Sequence, residues 1–241
     1  MSPEFLSLIS LLVCFASILS LLYFFGKEGL FAYTTMAVII SNIQVLKLTQ
    51  YSFLTDPVAL GTIVFSSSFA VDNILTEFFG RKTAQKNTFM SFFTYLAFVI
   101  LIQITIAHPN IQSQNCINLH DEVKAVFSPS LVIFISSAAA YLCGQLFDIF
   151  VFASLKKLFK SKYLALRSLI SMACSTFLDN LVFSMLAWII LADNPISWKE
   201  MLITYVYITY LIRLSVAVLS VPIVQLAGWM LERKEANVRK F

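Results

Sequence analysis

Apolar residues run through this chain in long unbroken stretches, set apart by short polar punctuation, and each stretch has the roughly 20 residues that an α-helix needs to cross a bilayer. The pattern predicts seven membrane-spanning helices. They lie at about Phe5–Phe25, Leu30–Tyr51, Val58–Phe79, Thr88–Ala107, a fifth containing SSAAAYLCGQLFDIFVFASLKK, Arg167–Leu191 and Trp198–Met230. Gly26-Lys27-Glu28 separates the first two. A cleaved signal peptide is the competing reading of the first stretch. Its apolar run is too long for a signal core, no basic segment precedes it and no small-x-small cleavage site follows, so a retained span is expected. Pro222 interrupts the last span and predicts a kink there.

Polar positions inside these stretches carry the next layer of information. Aligned on their acids, Gly144-Gln145-x-x-Asp148-x-x-x-Phe152 repeats as Ser175-Thr176-x-x-Asp179-x-x-x-Phe183. At helical spacing Gln145 and Asp148 share a face, as do Thr176 and Asp179, so each helix presents a polar pair along one stripe. A charged carboxylate near the bilayer centre costs about 2.5 kcal/mol or more, which drives it towards a cavity or a partner. Composition agrees with the pattern. With 59% hydrophobic and 12% charged residues and a mean hydropathy of +0.83, a soluble domain is excluded, and the long continuous runs exclude an alternating-strand barrel. The fold class expected is all-α, a polytopic membrane helical bundle.

Charge then gives an orientation. Arg81, Lys82 and Lys86 follow the third span, Lys156, Lys157, Lys160, Lys162 and Arg167 follow the fifth, and Arg233, Lys234, Arg239 and Lys240 close the chain, which together are 12 of the 17 basic residues. Short loops rich in Lys and Arg stay in the cytoplasm, so the amino terminus is expected outside and the carboxyl terminus inside. The net charge of +4 therefore follows from topology and needs no nucleic-acid partner. His108, Cys116 and His120 lack compact ligand spacing, so no metal and no cofactor is expected. Cys14, Cys143 and Cys174 fall within apolar spans, where each is expected as a small buried hydrophobe.

Helical rise places Asn42, Asp179 and Arg213 near mid-membrane, Asp72 and Asp148 nearer the cytoplasm, and Glu77 at the cytoplasmic end. A purely structural account pairs Asp148 or Asp179 with Arg213 or Lys47, and Glu77 with Arg81 or Lys82. Ser66–Ser68 and Ser136–Ala140 read as close helix contacts, and the uncharged fourth span as scaffold or lipid-facing.

The strings DNILTEFFGRKTAQK and SNIQVLK, with the paired GQLFDIFVF and STFLDNLVF motifs, resemble the queuosine precursor transporter family, also called the vitamin uptake transporter family, over roughly Thr34 to Leu231. The resemblance implies a transporter, not an enzyme, that imports 7-deazaguanine bases such as queuine for transfer RNA modification across the bacterial inner membrane. It implies a six-helix core at 30–231, an added N-terminal helix at 1–29 and a basic tail at 232–241. Substrate-binding residues are then expected at Asn42, Asn73, Glu77, Gln145, Asp148, Thr176, Asp179 and Arg213. The family's acid before the glycine matching Gly80 falls at Asn73 here, with Asp72 one position earlier; Thr176 stands where Gln is frequent and Arg213 where Lys is frequent. A guanine-like base offers an N1–H and a 2-amino group to a carboxylate, and a carbonyl to an amide such as Asn42 or Gln145. Phe147, Phe152, Phe177, Phe183 and Tyr141 are the aromatics near the polar pairs. Two other readings stay open: a substrate-binding membrane subunit of an ATPase-driven importer, and an intramembrane aspartyl protease using both acids. Assembly as a homo-oligomer is also open.

Overall fold

A computed structural model describes residues 2–45, 47–53, 57–109, 122, 124, 127, 131–192 and 194–238. The first helix, α1 (Pro3–Gln44), starts with Ser2 capping the Phe5 amide and Pro3 in the first turn, where its missing N–H costs nothing. Gly26 breaks it at φ +63°, a left-handed backbone that suits glycine. The chain folds back there into two limbs, residues 3–25 and 27–44. They approach so closely past the bend that a Cβ on Gly29 would lie 2.2 Å from the Leu21 carbonyl oxygen.

The second limb ends at Gln44, seven residues before the boundary expected at Tyr51. From Lys27 it has about 27 Å of helical rise, enough to cross the hydrocarbon, and the chain then turns into a hairpin. Leu48–Thr49 (β1) pairs antiparallel with Val58–Ala59 (β2), Leu48 opposite Ala59. Asn42 therefore stands in the last turn of its helix, not at mid-span, and Lys47 lies beyond the helix. The third span likewise starts later than Val58, as α2 (Gly61–Ile74), which continues as a π-helical turn, Leu75–Phe79, to Gly80 at φ +89°.

The remaining elements are α3 (Arg81–Ala107), α4 (Leu131–Leu158), α5 (Leu164–Met185) with a π turn at Leu186–Ile190, the short α6 (Trp198–Glu200), a π segment at Met201–Tyr207 and α7 (Ile208–Val238). Among the described residues five helices are long and apolar enough to span a membrane. The first of them is turned back at Gly26 into two limbs that can each cross, while α2 with its π turn packs among the spans and is not one of the five. The helix of α7 runs on through Pro222.

Every residue of α2 except Phe65 is buried. It is the axis of the bundle, with Phe69, Ala70, Val71 and Ile74 packed among Ile18 and Leu22 of α1, Ile149 of α4, Met172 of α5 and Val224 and Ala227 of α7. One end of the bundle carries the hairpin, and the other carries Gly80, the loop after α4 and the basic residues. Ser7 and Tyr51 join their hydroxyls at 2.8 Å, and the Ser52 amide donates to Glu4 at 2.7 Å, so the amino terminus is tied to the hairpin end. Cys14 is buried as expected, but Cys143 and Cys174 are exposed on the outer surface of the bundle. In a membrane that surface meets lipid, which accepts a thiol as readily as a protein core does. Cys116 and His120 lie outside the described residues.

Candidate functional site

At the hairpin end a cavity of about 490 Å³, counting the part open to the outside, lies between the end of α1, the start of α2, and the inner faces of α4, α5 and α7. Small residues make the room. A Cβ on Gly61 would sit 2.3 Å from the Ser41 carbonyl oxygen, and one on Gly144 would sit 2.7 Å from the Asp179 Cβ. Close approach at these two points sets the separation of α1 from α2 and of α4 from α5. Ser137 and Ala140, expected as packing residues, line the cavity.

Asp179 from α5 and Arg213 from α7 form an ion pair on its wall through Asp179 Oδ2 and Arg213 Nη1. The pair is incomplete. Among the described residues Asp179 Oδ1 and Arg213 Nε have no hydrogen-bond partner. One acceptor and one donor of the pair are thus left unused in a low-dielectric site, where an unmade bond costs about 1 to 3 kcal/mol. The guanidinium also lies 5.1 Å from the Phe65 ring centroid, and Phe183 lines the same cavity. Asn42 faces it too, its amide nitrogen donating to the Val38 carbonyl at 2.9 Å.

Of the eight expected residues, Asn42, Asp179 and Arg213 share this cavity. Gln145, Asp148, Thr176 and Asn73 are fully buried beneath it. Gln145 donates to the Ser68 hydroxyl, and Asn73 accepts from Ser171 at 3.2 Å. Glu77 is remote, at the basic end. Its carboxylate takes a bidentate pair from Arg167 at 2.9 and 3.1 Å and lies 3.2 Å from Lys156, so its partners are these two and not Arg81 or Lys82. Arg167, which looks like one more loop cation in the sequence, is fully buried. It also donates to the carbonyls of Lys162 and Ser161, within a loop where Lys160, Ser161 and Tyr163 have positive φ.

Sequence reasoning missed Phe65, hidden among 23 phenylalanines, and Asn87, which sits just before the expected start of the fourth span. The helix begins earlier, at Arg81, and Asn87 donates to Asp72 Oδ1 at 3.2 Å and to Thr34 at 3.0 Å. Of the other aromatics, Phe152 is buried under the Arg167 guanidinium, Tyr141 packs against Phe65, and Phe177 is exposed on the bundle surface.

A helical bundle with these crossings and an internal polar cavity is a multi-pass membrane protein. The chain belongs to the vitamin uptake transporters: the family model described as "Putative vitamin uptake transporter" matches residues 59–227. It is similar to the "Probable queuosine precursor transporter" of Bacillus subtilis (strain 168), with 26% identity over 214 residues that cover 88% of this chain and 89% of that protein. No solved structure matches.

Proposed function

We propose that this transporter imports a queuosine precursor, a 7-deazaguanine base such as queuine, and that the base binds in the cavity at the hairpin end. The observation that carries the reading is the half-used ion pair. Asp179 Oδ1 lacks a donor and Arg213 Nε lacks an acceptor among the described residues. A guanine-like edge brings an N–H or amino donor beside a carbonyl acceptor, which is the complement of that arrangement. Phe65 and Phe183 supply aromatic surface for the ring. Because Oδ2 is engaged by Arg213, the base has one carboxylate oxygen to use, and Arg213 or Asn42 serves its carbonyl. The similarity to a protein named for queuosine precursors supports the substrate class.

The basic end is assigned to the cytoplasm of the bacterial inner membrane and the hairpin end to the outside, so the cavity meets incoming substrate. An aspartyl protease would need Asp148 and Asp179 to share a proton, whereas Asp179 is occupied by Arg213.

The test is uptake of labelled candidate bases by cells that make no queuosine precursor and express this chain alone. One 7-deazaguanine restores queuosine in transfer RNA, and no base restoring it overturns the reading. Asp179→Asn sets an amide against the donor of the base and is expected to weaken binding about tenfold, from a loss of about 1 to 3 kcal/mol. If Asp179 served packing alone, Arg213→Gln would restore uptake to Asp179→Asn.

A further inference from the structure

A second polar cluster lies deeper in the bundle and plays no part in the cavity. Asp148 of α4 is fully buried, and neither of its carboxylate oxygens has a hydrogen-bond partner among the described residues. The hydroxyls of Ser171 and Ser175 stand beside it. Each hydroxyl is within reach of Asp148 and each has a competing acceptor, Ser171 in Asn73 Oδ1 and the Ser168 carbonyl, Ser175 in the Ser171 carbonyl. Asp72 of α2 is close enough for its charge to act on Asp148. Its Oδ1 takes the Asn87 amide, while its Oδ2 and the Asn87 Oδ1 are without partners among the described residues. The cluster is therefore rich in acceptors: four buried oxygens without donors, joined by two hydroxyl oxygens whose lone pairs remain.

An isolated carboxylate in such surroundings is strongly disfavoured, and what the cluster lacks is positive charge. A single proton would satisfy one oxygen and leave the others bare. A hard cation prefers carboxylate, carbonyl and hydroxyl oxygens and satisfies them together. We propose that Asp72, Asn87, Asp148, Ser171 and Ser175 form the coupling site for a sodium ion. One sodium ion balances Asp148, and the second acid, Asp72, is neutral when its free Oδ2 carries a proton. The proposal rests on the transporter reading for its purpose but not for the ion site itself. Its link to the cavity is α5, which carries Ser171, Ser175 and Asp179 at successive four-residue steps along one face. Sodium drawing Ser171 and Ser175 towards Asp148 fixes that face, and with it Asp179. Base and ion then favour one another reciprocally.

Two measurements on the full-length protein test this. In detergent, the purified chain is expected to bind one radiolabelled sodium ion and to melt at a higher temperature in sodium chloride than in choline chloride, with both effects lost in Asp148→Asn and weakened in Ser171→Ala. In proteoliposomes, an inward sodium gradient is expected to accelerate uptake of a labelled 7-deazaguanine about tenfold. Asp148→Asn is expected to keep the counterflow of the base that the wild type shows in sodium-free buffer while losing that acceleration. Absence of sodium binding by the wild type, a preference for magnesium or calcium, or acceleration by a proton gradient alone overturns the proposal. Loss of counterflow together with sodium binding in Asp148→Asn also overturns it, by returning Asp148 to the base. Sodium binding with no base exchanged by the wild type upholds the ion site and removes the substrate reading.

Discussion

Two guanidiniums are sunk in this bundle, and their surroundings give them different roles. Arg167 is fully enclosed, with a bidentate bond to Glu77, bonds to two backbone carbonyls and Phe152 beneath it at 5.1 Å. Such a group holds structure. Arg167→Leu leaves Glu77, whose side chain is 12% exposed, with Lys156 as its remaining cation and is expected to cost about 1 to 3 kcal/mol. Thermal melting of the purified protein measures this, and adding Glu77→Leu should recover part of the loss. Arg213 makes one bond to Asp179 and keeps a nitrogen free of partners among the described residues. Arg213→Gln leaves Asp179, 2% exposed, without its cation, so it is expected to lower the melting temperature and to weaken base binding about tenfold per protein in the membrane. A fall in abundance matching the fall in uptake would show that Arg213, too, holds structure.

At the scale of elements, the repeat GQLFD and STFLD places equivalent acids on α4 and α5, but the helices use them unequally. Gly144 lets α4 press against α5 where Asp179 stands, and a side chain there would meet the Asp179 Cβ at 2.7 Å. Its counterpart Ser175 sits in the deeper cluster. Gly144→Val is therefore expected to push α4 and α5 apart, lowering stability by about 1 to 3 kcal/mol and displacing Asp179 from the cavity. Uptake should fall further than in Ala140→Val, which fills the cavity wall one turn away. One π segment marks the same region. The π segment ending at Tyr207 leaves the Val206 carbonyl to be taken by the Asn180 amide at 2.7 Å, one residue from Asp179.

For the whole molecule the distribution of Lys and Arg sets the first expectation. A reporter joined after Lys162 should read as cytoplasmic, and one inserted near Asn115 as external; the reverse pattern would invert the assignment of the cavity. The N-terminal limb gives the second. Leu11, Ile18 and Leu22 are buried against the axis of the bundle, and Ser7 and Glu4 tie down the hairpin between α1 and α2. A chain beginning at Leu30 exposes that apolar face to lipid, which does not penalise it as water would. It is expected to insert and keep some uptake, with a lower melting temperature. Complete loss of uptake at normal abundance would place the first limb in the site.

The sequence by itself determined the class, the long apolar helices and the basic end, because bilayer thickness and the cost of burying charge act on every residue in one dimension. It also singled out Asp179 and Arg213, since a charge inside an apolar run is conspicuous without any knowledge of its neighbours. Which charges meet is a different matter. That Asp179 takes Arg213, that Glu77 takes Arg167 and Lys156, and that Asp148 takes no donor among the described residues depends on how helices far apart in the chain rotate against α2. Asn42 shows the same division: its helix was legible, but its place at the helix end came from the hairpin that turns the chain back after Gln44. Helical periodicity fixes a residue's direction relative to its own axis, and only packing decides what stands opposite.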